Sequence, residues 1–158
     1  MKARSVLLVT ASALFASTLA AQPATSASSA TTPAFLPAAD VKWTDLDPAR
    51  APGVKIADLW GDHTKGAFGA YMKLPAGFMA PLHTHTYAMK VIFVSGTYLQ
   101  TPEGKSQARL GPGSYMFQPG GNYRHVTACD KAADCVFFVE SDGPFDLKPV
   151  DAKGGAAK

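Results

Sequence analysis

The sequence predicts an all-β protein in which short antiparallel strands form a sandwich or a barrel. Between about residues 40 and 148, β-prone runs alternate with turns rich in Gly, Pro and Asp, a pattern that is typical of such folds. No stretch has the apolar period of a long amphipathic helix. The 158 residues are enough for one domain but not comfortably for two.

Each predicted strand is delimited by residues that favour turns. In chain order, the strands cover residues 55–60, 67–74, 87–94, 97–100, 108–110, 114–118, 123–128 and 136–140. The turns that end them contain Gly61-Asp62, Pro75-Ala-Gly77, Ser95-Gly96, Thr101-Pro-Glu-Gly104, Gly111-Pro-Gly113, Pro119-Gly-Gly121, the loop from Cys129 to Cys135, and Ser141-Asp-Gly-Pro144.

The first twenty residues have the pattern of a secretory signal peptide. A basic start, Met1-Lys-Ala-Arg4, precedes an apolar run that ends in small residues near Ala20, where cleavage is expected after Ala20 or Ala21. The run is shorter and more polar than the roughly 20 apolar residues of a membrane-spanning helix. We therefore expect a periplasmic or secreted protein without stable membrane insertion; an uncleaved N-terminal anchor is the alternative.

The composition changes again on both sides of the predicted strands. Residues 21–39 are rich in Ala, Ser, Thr and Pro and lack the large apolar side chains that would offset ordering entropy. We predict a disordered linker there, a folded domain at 40–148 and a flexible tail at 149–158.

The charge of the chain argues against nucleic acid as a partner. Loss of Lys2 and Arg4 with the signal peptide leaves 13 basic against 12 acidic residues, which lowers the net charge from +3 to +1. A nucleic-acid-binding surface needs a basic patch or stripe, and none is present in the sequence.

The two cysteines, Cys129 and Cys135, flank a polar loop. An exported protein meets an oxidising compartment in which disulfides persist, so we predict a bridge between them. It would contribute roughly 2 kcal/mol by the loop-closure estimate. Metal binding is the alternative, although the spacing is wider than in the usual CxxC ligand pairs.

Three histidines form the strongest candidate site. His83 and His85 are two residues apart, so on a regular strand both imidazoles share one face. The same parity would turn Tyr87 and Met89 into the interior. A third imidazole, His125, lies in a later strand, and neutral imidazoles bind zinc, iron, copper and nickel.

The spacing around the first two histidines resembles the first motif of the cupin superfamily, which reads Gly, five residues, His, one, His, three or four, Glu, six, Gly. Gly77, His83, His85 and Gly96 fall in place. The position of the glutamate is occupied by Met89. A thioether is a soft ligand that suits Cu(I) better than harder divalent ions, and Met also fills irregular gaps in cores.

The second cupin motif reads Gly, five, Pro, one, Gly, two, His. Gly113, Pro119 and Gly121 match it, whereas His125 comes one residue late and Arg124 stands at the expected place. With both motifs in order over roughly residues 40–148, the chain resembles small exported bacterial cupins of undetermined function. The resemblance implies a single-domain cupin β-barrel, an antiparallel jelly roll.

The resemblance implies that His83, His85 and, through a one-residue bulge, His125 bind a divalent transition metal (Fe, Mn, Zn, Ni or Cu). The alternative is a vestigial site whose histidines are hydrogen-bonded within the barrel. Glu140 is a less favoured replacement for the missing carboxylate. Arg124 is expected to face away from the site, and His63 is expected at the surface.

Small-molecule chemistry follows from the same resemblance. Tyr87, Gln118 and Tyr123 are weak candidates for substrate binding, and Phe117 and Val91 are expected to line the barrel cavity. The protein is interpreted as a possible metal-dependent dioxygenase or isomerase. The alternative is a non-catalytic cupin that binds or senses a small ligand. The resemblance, and no other observation, implies a homodimer.

Overall fold

The computed structural model describes residues 32–150. Two antiparallel sheets account for nearly all of the regular structure. One 3-10 helix, Ala38–Asp40, precedes the strands β1 (Thr44–Asp45), β2 (Lys55–Gly61), β3 (Phe68–Leu74), β4 (Met79–Thr84), β5 (Met89–Ser95), β6 (Tyr98–Pro102), β7 (Ala108–Leu110), β8 (Tyr115–Gln118), β9 (His125–Cys129), β10 (Cys135–Ser141) and β11 (Lys148–Pro149).

The strands are distributed over a six-stranded and a five-stranded sheet. The first sheet has the order β1-β2-β3-β10-β5-β8, and the second has the order β11-β4-β9-β6-β7. Neighbours in the sheets are mostly distant in sequence, as in a jelly roll. The predicted all-β cupin barrel is confirmed.

The core is made by the alternating inward residues of both sheets. In β10 every second residue is buried, because successive side chains of a strand point to opposite faces. Its apolar members Phe137 and Val139 belong to a cluster with Phe68 and Phe93. The other face of this sheet carries exposed apolar side chains: Ile92, Val94, Tyr115 and Phe117.

The turn between β5 and β6 shows why the first motif ends in glycine. Gly96 has a φ of +74°, a conformation that L side chains rarely adopt. A Cβ at this position would lie 2.4 Å from the carbonyl oxygen of Asp134. The chain therefore passes from one sheet to the other in close contact with the cysteine loop.

The predicted disulfide between Cys129 and Cys135 is confirmed. The two sulfurs are bonded, and their Cα atoms are 5.8 Å apart. Cys129 ends β9 and Cys135 begins β10, which belong to different sheets. The bridge therefore links the two sheets at one end of the barrel.

The chain ends of the folded domain differ in part from the prediction. Pro149 still pairs with His83 of β4, and the amide of Val150 donates to the carbonyl of Leu82 at 3.0 Å. Residues 149 and 150 thus belong to the fold rather than to a tail.

Three predicted segments lie outside the described residues: the signal peptide at 1–20, most of the linker, and residues 151–158. They remain predictions. In the described range, no helix has the length and apolar character needed to cross a membrane.

Candidate metal centre and ligand cavity

Strand pairing brings His83 and His125 together. The two residues are directly opposite each other in the β4–β9 ladder. Between Ala80 and His83 this ladder contains an irregularity that places one extra residue on β4. A bulge at this point is compatible with Pro81, which cannot donate a ladder hydrogen bond. The bulge anticipated for His125 therefore lies on the partner strand, and His125 is simply the first residue of β9.

The backbone fixes the tautomers of all three imidazoles. His83 Nδ1 lies 2.6 Å from the carbonyl oxygen of Pro81, and His125 Nδ1 lies 3.3 Å from that of Tyr123. His85 Nδ1 bonds the carbonyl oxygen of Asp146. Because a carbonyl oxygen only accepts, each Nδ1 carries the proton and each Nε2 keeps a lone pair. Metal-binding histidines are oriented by outer-shell bonds of the same kind.

The three histidines form a buried cluster. Their candidate ligand atoms all lie within 4.8 Å of one another. Two nitrogens that bind the same metal through bonds of 2.0–2.1 Å can be at most roughly 4 Å apart. The ring centroids of His83 and His125 are 4.2 Å apart, and those of His83 and His85 are 4.9 Å apart. Within residues 32–150, the fully buried Nε2 of His125 has no hydrogen-bond partner. A bound metal would satisfy this atom, so the donor set fits a metal ion.

Burial keeps these imidazoles neutral. Desolvation, followed by the charge of His83, lowers the pKa of His85 to about 4. Desolvation and then the charges of His83 and His85 lower the pKa of His125 to about 3. The pKa of His83 is also lowered by burial. At neutral pH the cluster therefore offers neutral imidazoles, the form that binds metals.

Asp146 is a supporting residue that the sequence did not reveal. Besides the bond from its carbonyl to His85, its carboxylate accepts from the amide of Thr86 at 2.8 Å and from the Thr86 hydroxyl. Lys148 forms an ion pair with the same carboxylate at 3.4 Å. These contacts fix the segment after β10 against the residues that follow β4, and so hold the His85 ring in place.

The histidines adjoin a cavity of about 80 Å³ between the sheets. His83 and His85 line it, together with apolar side chains such as Met72, Met89, Val91, Phe137 and Phe145. Met89 is buried in this lining, where the cupin motif would supply a glutamate. Among residues 32–150, no Asp, Glu, Lys or Arg lines the cavity.

The candidate substrate residues occupy three different environments. Gln118 lines the cavity and is only 2 % exposed. Tyr123 is half-buried and stacks on His125, with ring centroids 5.1 Å apart, but it does not line the cavity. Tyr87 is 40 % exposed and its ring packs on Gly143.

The predicted inward orientation of Tyr87 and the predicted place of Phe117 in the cavity lining are both wrong. Strand β4 ends at Thr84 and β5 begins at Met89, so Tyr87 lies in a turn and does not continue the alternation of His83 and His85. In β8, Phe117 points outward and is 55 % exposed. Its neighbours Met116 and Gln118 line the cavity instead.

The remaining charged candidates do not reach the histidine cluster. Arg124 forms an ion pair with Glu103 at 3.1 Å, consistent with its predicted orientation away from the site. Glu140 binds Lys90 at 2.8 Å and so does not replace the missing carboxylate. The prediction of a surface His63 needs correction, because its side chain is 17 % exposed and is held by Asp58 at 2.9 Å.

Solved structures of other proteins share this fold. The chain resembles an RmlC-like cupin from Ralstonia eutropha JMP134 at 22 % identity, with a TM-score of 0.59 over 80 % of this chain and 78 % of that one. It also resembles the polyketide cyclase RemF from Streptomyces resistomycificus at 18 % identity, TM-score 0.60, covering 76 % and 87 %. A third similar structure is KdgF from a Halomonas species, at 21 % identity, TM-score 0.53, covering 69 % and 94 %.

The chain therefore has the cupin fold. Residues 35–157 match the family described as a domain of unknown function, DUF4437. The chain belongs to this family. A search of curated protein sequences finds no match.

Proposed function

We propose that this protein is an exported cupin that holds a divalent transition metal through His83, His85 and His125 and takes a small molecule into the adjoining cavity. The observation that carries the proposal is the arrangement of the three rings. Each Nδ1 is committed to a backbone carbonyl, and one ring nitrogen from each of the three buried histidines lies within 4.8 Å of the other two. In a vestigial site whose histidines are hydrogen-bonded within the barrel, the buried Nε2 of His125 would have a partner, and among residues 32–150 it has none.

The protein's own groups would prepare this site in two ways. The carbonyl partners fix the ring orientations, which reduces the reorganisation needed on metal binding. The apolar lining excludes water, which strengthens electrostatic interactions at the site. A metal held there would supply a Lewis acid that polarises an oxygen of the bound molecule.

Two kinds of activity are compatible with such a site. A metal-dependent dioxygenase or isomerase is the first, and it is supported by enzymes of the same fold, such as a polyketide cyclase. A non-catalytic ligand-binding or sensing protein is the second. It is favoured by the absence, among residues 32–150, of a carboxylate or a cation in the cavity lining that would serve as a general base or acid.

Metal content tests the proposal. Purified protein is loaded in turn with Fe(II), Mn(II), Zn(II), Ni(II) and copper, freed of excess ion and measured by elemental analysis. We expect close to one ion per chain for at least one metal, and loss of that ion in the double variant His83→Ala/His85→Ala. His63→Ala is measured beside it, because His63 belongs with Asp58 and Asp62 to a second, more exposed group of possible ligands; retention of the ion in this variant assigns the metal to the buried cluster. A wild-type protein that retains none of these metals would contradict the proposal.

Turnover and ligand binding separate the two activities. Metal-dependent conversion of a substrate would support the enzyme, whereas tight ligand binding to metal-free protein without turnover would support the sensor. The disulfide between Cys129 and Cys135 supports export, since such bridges persist in oxidising compartments. Determination of the N-terminus of the protein recovered from the periplasm tests cleavage near Ala20.

A homodimer also remains a proposal. It is supported by the exposed apolar side chains on the outer face of β5 and β8, among them Ile92 and Phe117, because large exposed apolar patches often mark association sites. The molar mass in solution, measured by light scattering, distinguishes a monomer from a dimer.

A further inference from the structure

A chain of buried polar side chains reaches the cavity from the side of β6. The Tyr98 hydroxyl lies 3.0 Å from Thr127 Oγ1. Thr127 Oγ1 lies 3.3 Å from Gln100 Oε1, and Gln100 Nε2 lies 3.2 Å from Gln118 Oε1. All four residues are at least nine-tenths buried. Gln100 and Thr127 are opposite each other in the β6–β9 ladder, while Gln118, at the end of β8, belongs to the other sheet.

The hydrogen bonds of this chain all run in one direction. The amide nitrogen of Gln100 only donates, so Gln118 accepts at its oxygen. The oxygen of Gln100 only accepts, so Thr127 gives it its single hydroxyl proton. Tyr98 must then donate to Thr127. The bonds therefore lead from the phenol of Tyr98 to the amide of Gln118, and bonds aligned in this way strengthen one another.

The chain ends in an unused donor. Gln118 Nε2 is fully buried and has no hydrogen-bond partner among residues 32–150. An unsatisfied buried donor is costly, and native structures rarely retain one without a reason. Gln118 lines the same cavity as His83 and His85. Because Nε2 has almost no accessible surface, a rotation of the Gln118 side chain toward the cavity would bring this donor to a ligand oxygen there.

We infer that the cavity binds a compact, largely apolar molecule through one oxygen acceptor, such as a ketone or aldehyde carbonyl, which accepts a hydrogen bond from Gln118 Nε2. The apolar body follows from the lining, in which residues 32–150 place no charged side chain. The oxygen follows from the unused donor. This inference deepens the proposed function by naming a ligand class, and it rests on the cavity of that function but not on its metal.

A matched pair of probes tests the inference. Cyclohexanone carries the acceptor oxygen, and methylenecyclohexane replaces it with a methylene group of similar shape. Each is titrated into ¹⁵N-labelled protein, both as purified and after treatment with EDTA, and the side-chain amide signal of Gln118 is followed by NMR. We expect cyclohexanone to bind about tenfold more tightly, as one buried neutral hydrogen bond predicts, and to shift the Gln118 signal.

Variants assign the preference to one side chain. In Gln118→Met the ratio of the two affinities should fall to about one, as removal of a single donor predicts. Gln107→Met should keep the full preference, because Gln107 is exposed and bonds Thr101 instead. Circular dichroism checks that both variants fold.

Three results would overturn the inference. The first is equal binding of the two probes to the wild type, and the second is a preference for cyclohexanone that persists in Gln118→Met. The third is no binding of either probe up to its solubility limit. The wild-type comparison needs no variant. If EDTA-treated protein binds cyclohexanone more tightly than methylenecyclohexane, the inference is supported even if the metal proposal fails. If metal-loaded protein binds the two probes equally, the inference is refuted and the metal proposal is unaffected.

Discussion

The two polar regions of the cavity wall offer opposite groups to a bound molecule or ion. The histidine cluster presents lone pairs, because its ring protons are used by backbone carbonyls. The chain that ends at Gln118 presents a proton, because its acceptors are used by the preceding donors. Lone pairs that are buried among apolar groups are satisfied by a cation, whereas an unpaired N–H is satisfied by an oxygen acceptor. The difference indicates that one region is built for a metal and the other for a ligand.

The largest expected effect comes from removing one lone pair. His125→Ala deletes the fully buried Nε2 that has no partner among residues 32–150. Loss of an outer-shell partner costs 10–100-fold in metal affinity, so loss of a ligand should cost about 100-fold or more by the same comparison. Calorimetric titration with the metal found in the wild type measures this change. Unchanged affinity would exclude His125 from the site.

Protonation at low pH should destabilise the histidine region but not the glutamine region. The pKa of His85 is lowered from 6.5 to about 4 in the folded protein, so below pH 6.5 the unfolded chain binds a proton that the folded chain does not. The stability of the metal-free protein is therefore complete above pH 6.5 and falls towards pH 4. Through this linkage, protonation of His85 alone should lower the free energy of unfolding by about 2 kcal/mol between pH 7 and pH 5.

Urea denaturation of metal-free protein at several pH values measures that loss. The related shift of His125, whose pKa lies at about 3, should extend the decline further into acid. A free energy of unfolding that stays constant from pH 7 to pH 5 would contradict the buried, neutral state of the cluster.

Asp146→Ala should weaken metal binding by about tenfold, the lower end of the outer-shell effects. The variant keeps the backbone carbonyl that bonds His85 but removes the carboxylate that binds Thr86. The carbonyl would then be held less firmly. Glu103→Ala is a suitable control, since it removes a surface acid that pairs with Arg124 away from the cavity. Equal losses in both variants would show a non-specific charge effect.

The smallest expected effect concerns the chain of donors. Thr127→Val removes the hydroxyl that donates to Gln100, so the amide of Gln100 loses the contact that fixes its orientation. The preference for cyclohexanone over methylenecyclohexane should drop by about threefold, within the range of one neutral hydrogen bond. Metal affinity should stay the same. A change in metal affinity alone would show that the two regions are not independent.

The sequence predicted the histidine region better than the glutamine region, for a physical reason. His83 and His85 are close in sequence, and the glycine spacing places His125 in a second strand, so local motifs contain most of that site. The contact between Gln100 and Thr127 instead depends on the register of β6 against β9. No local pattern specifies that register, so only Gln118 of this chain was a candidate.

The errors have a similar origin. The alternation of side chains predicts orientation only while a strand continues, and β4 ends at Thr84, which places Tyr87 in a turn. Asp146 supports His85 through its backbone carbonyl, a group that every residue has, so its side chain gave no signal. The alternating apolar runs predicted eight strands, because burial on one face leaves a period of two in the sequence. They missed the short strands β1 and β11 and also β4, in which the irregularity after Ala80 interrupts the alternation.

The most direct test of the three-histidine site is X-ray absorption spectroscopy of the zinc-loaded protein. The account predicts nitrogen neighbours of the metal at about 2.0–2.1 Å with the scattering pattern of three imidazoles, reduced to two in His125→Ala. A first shell made of oxygen or sulfur, or a spectrum that His125→Ala leaves unchanged, would contradict it.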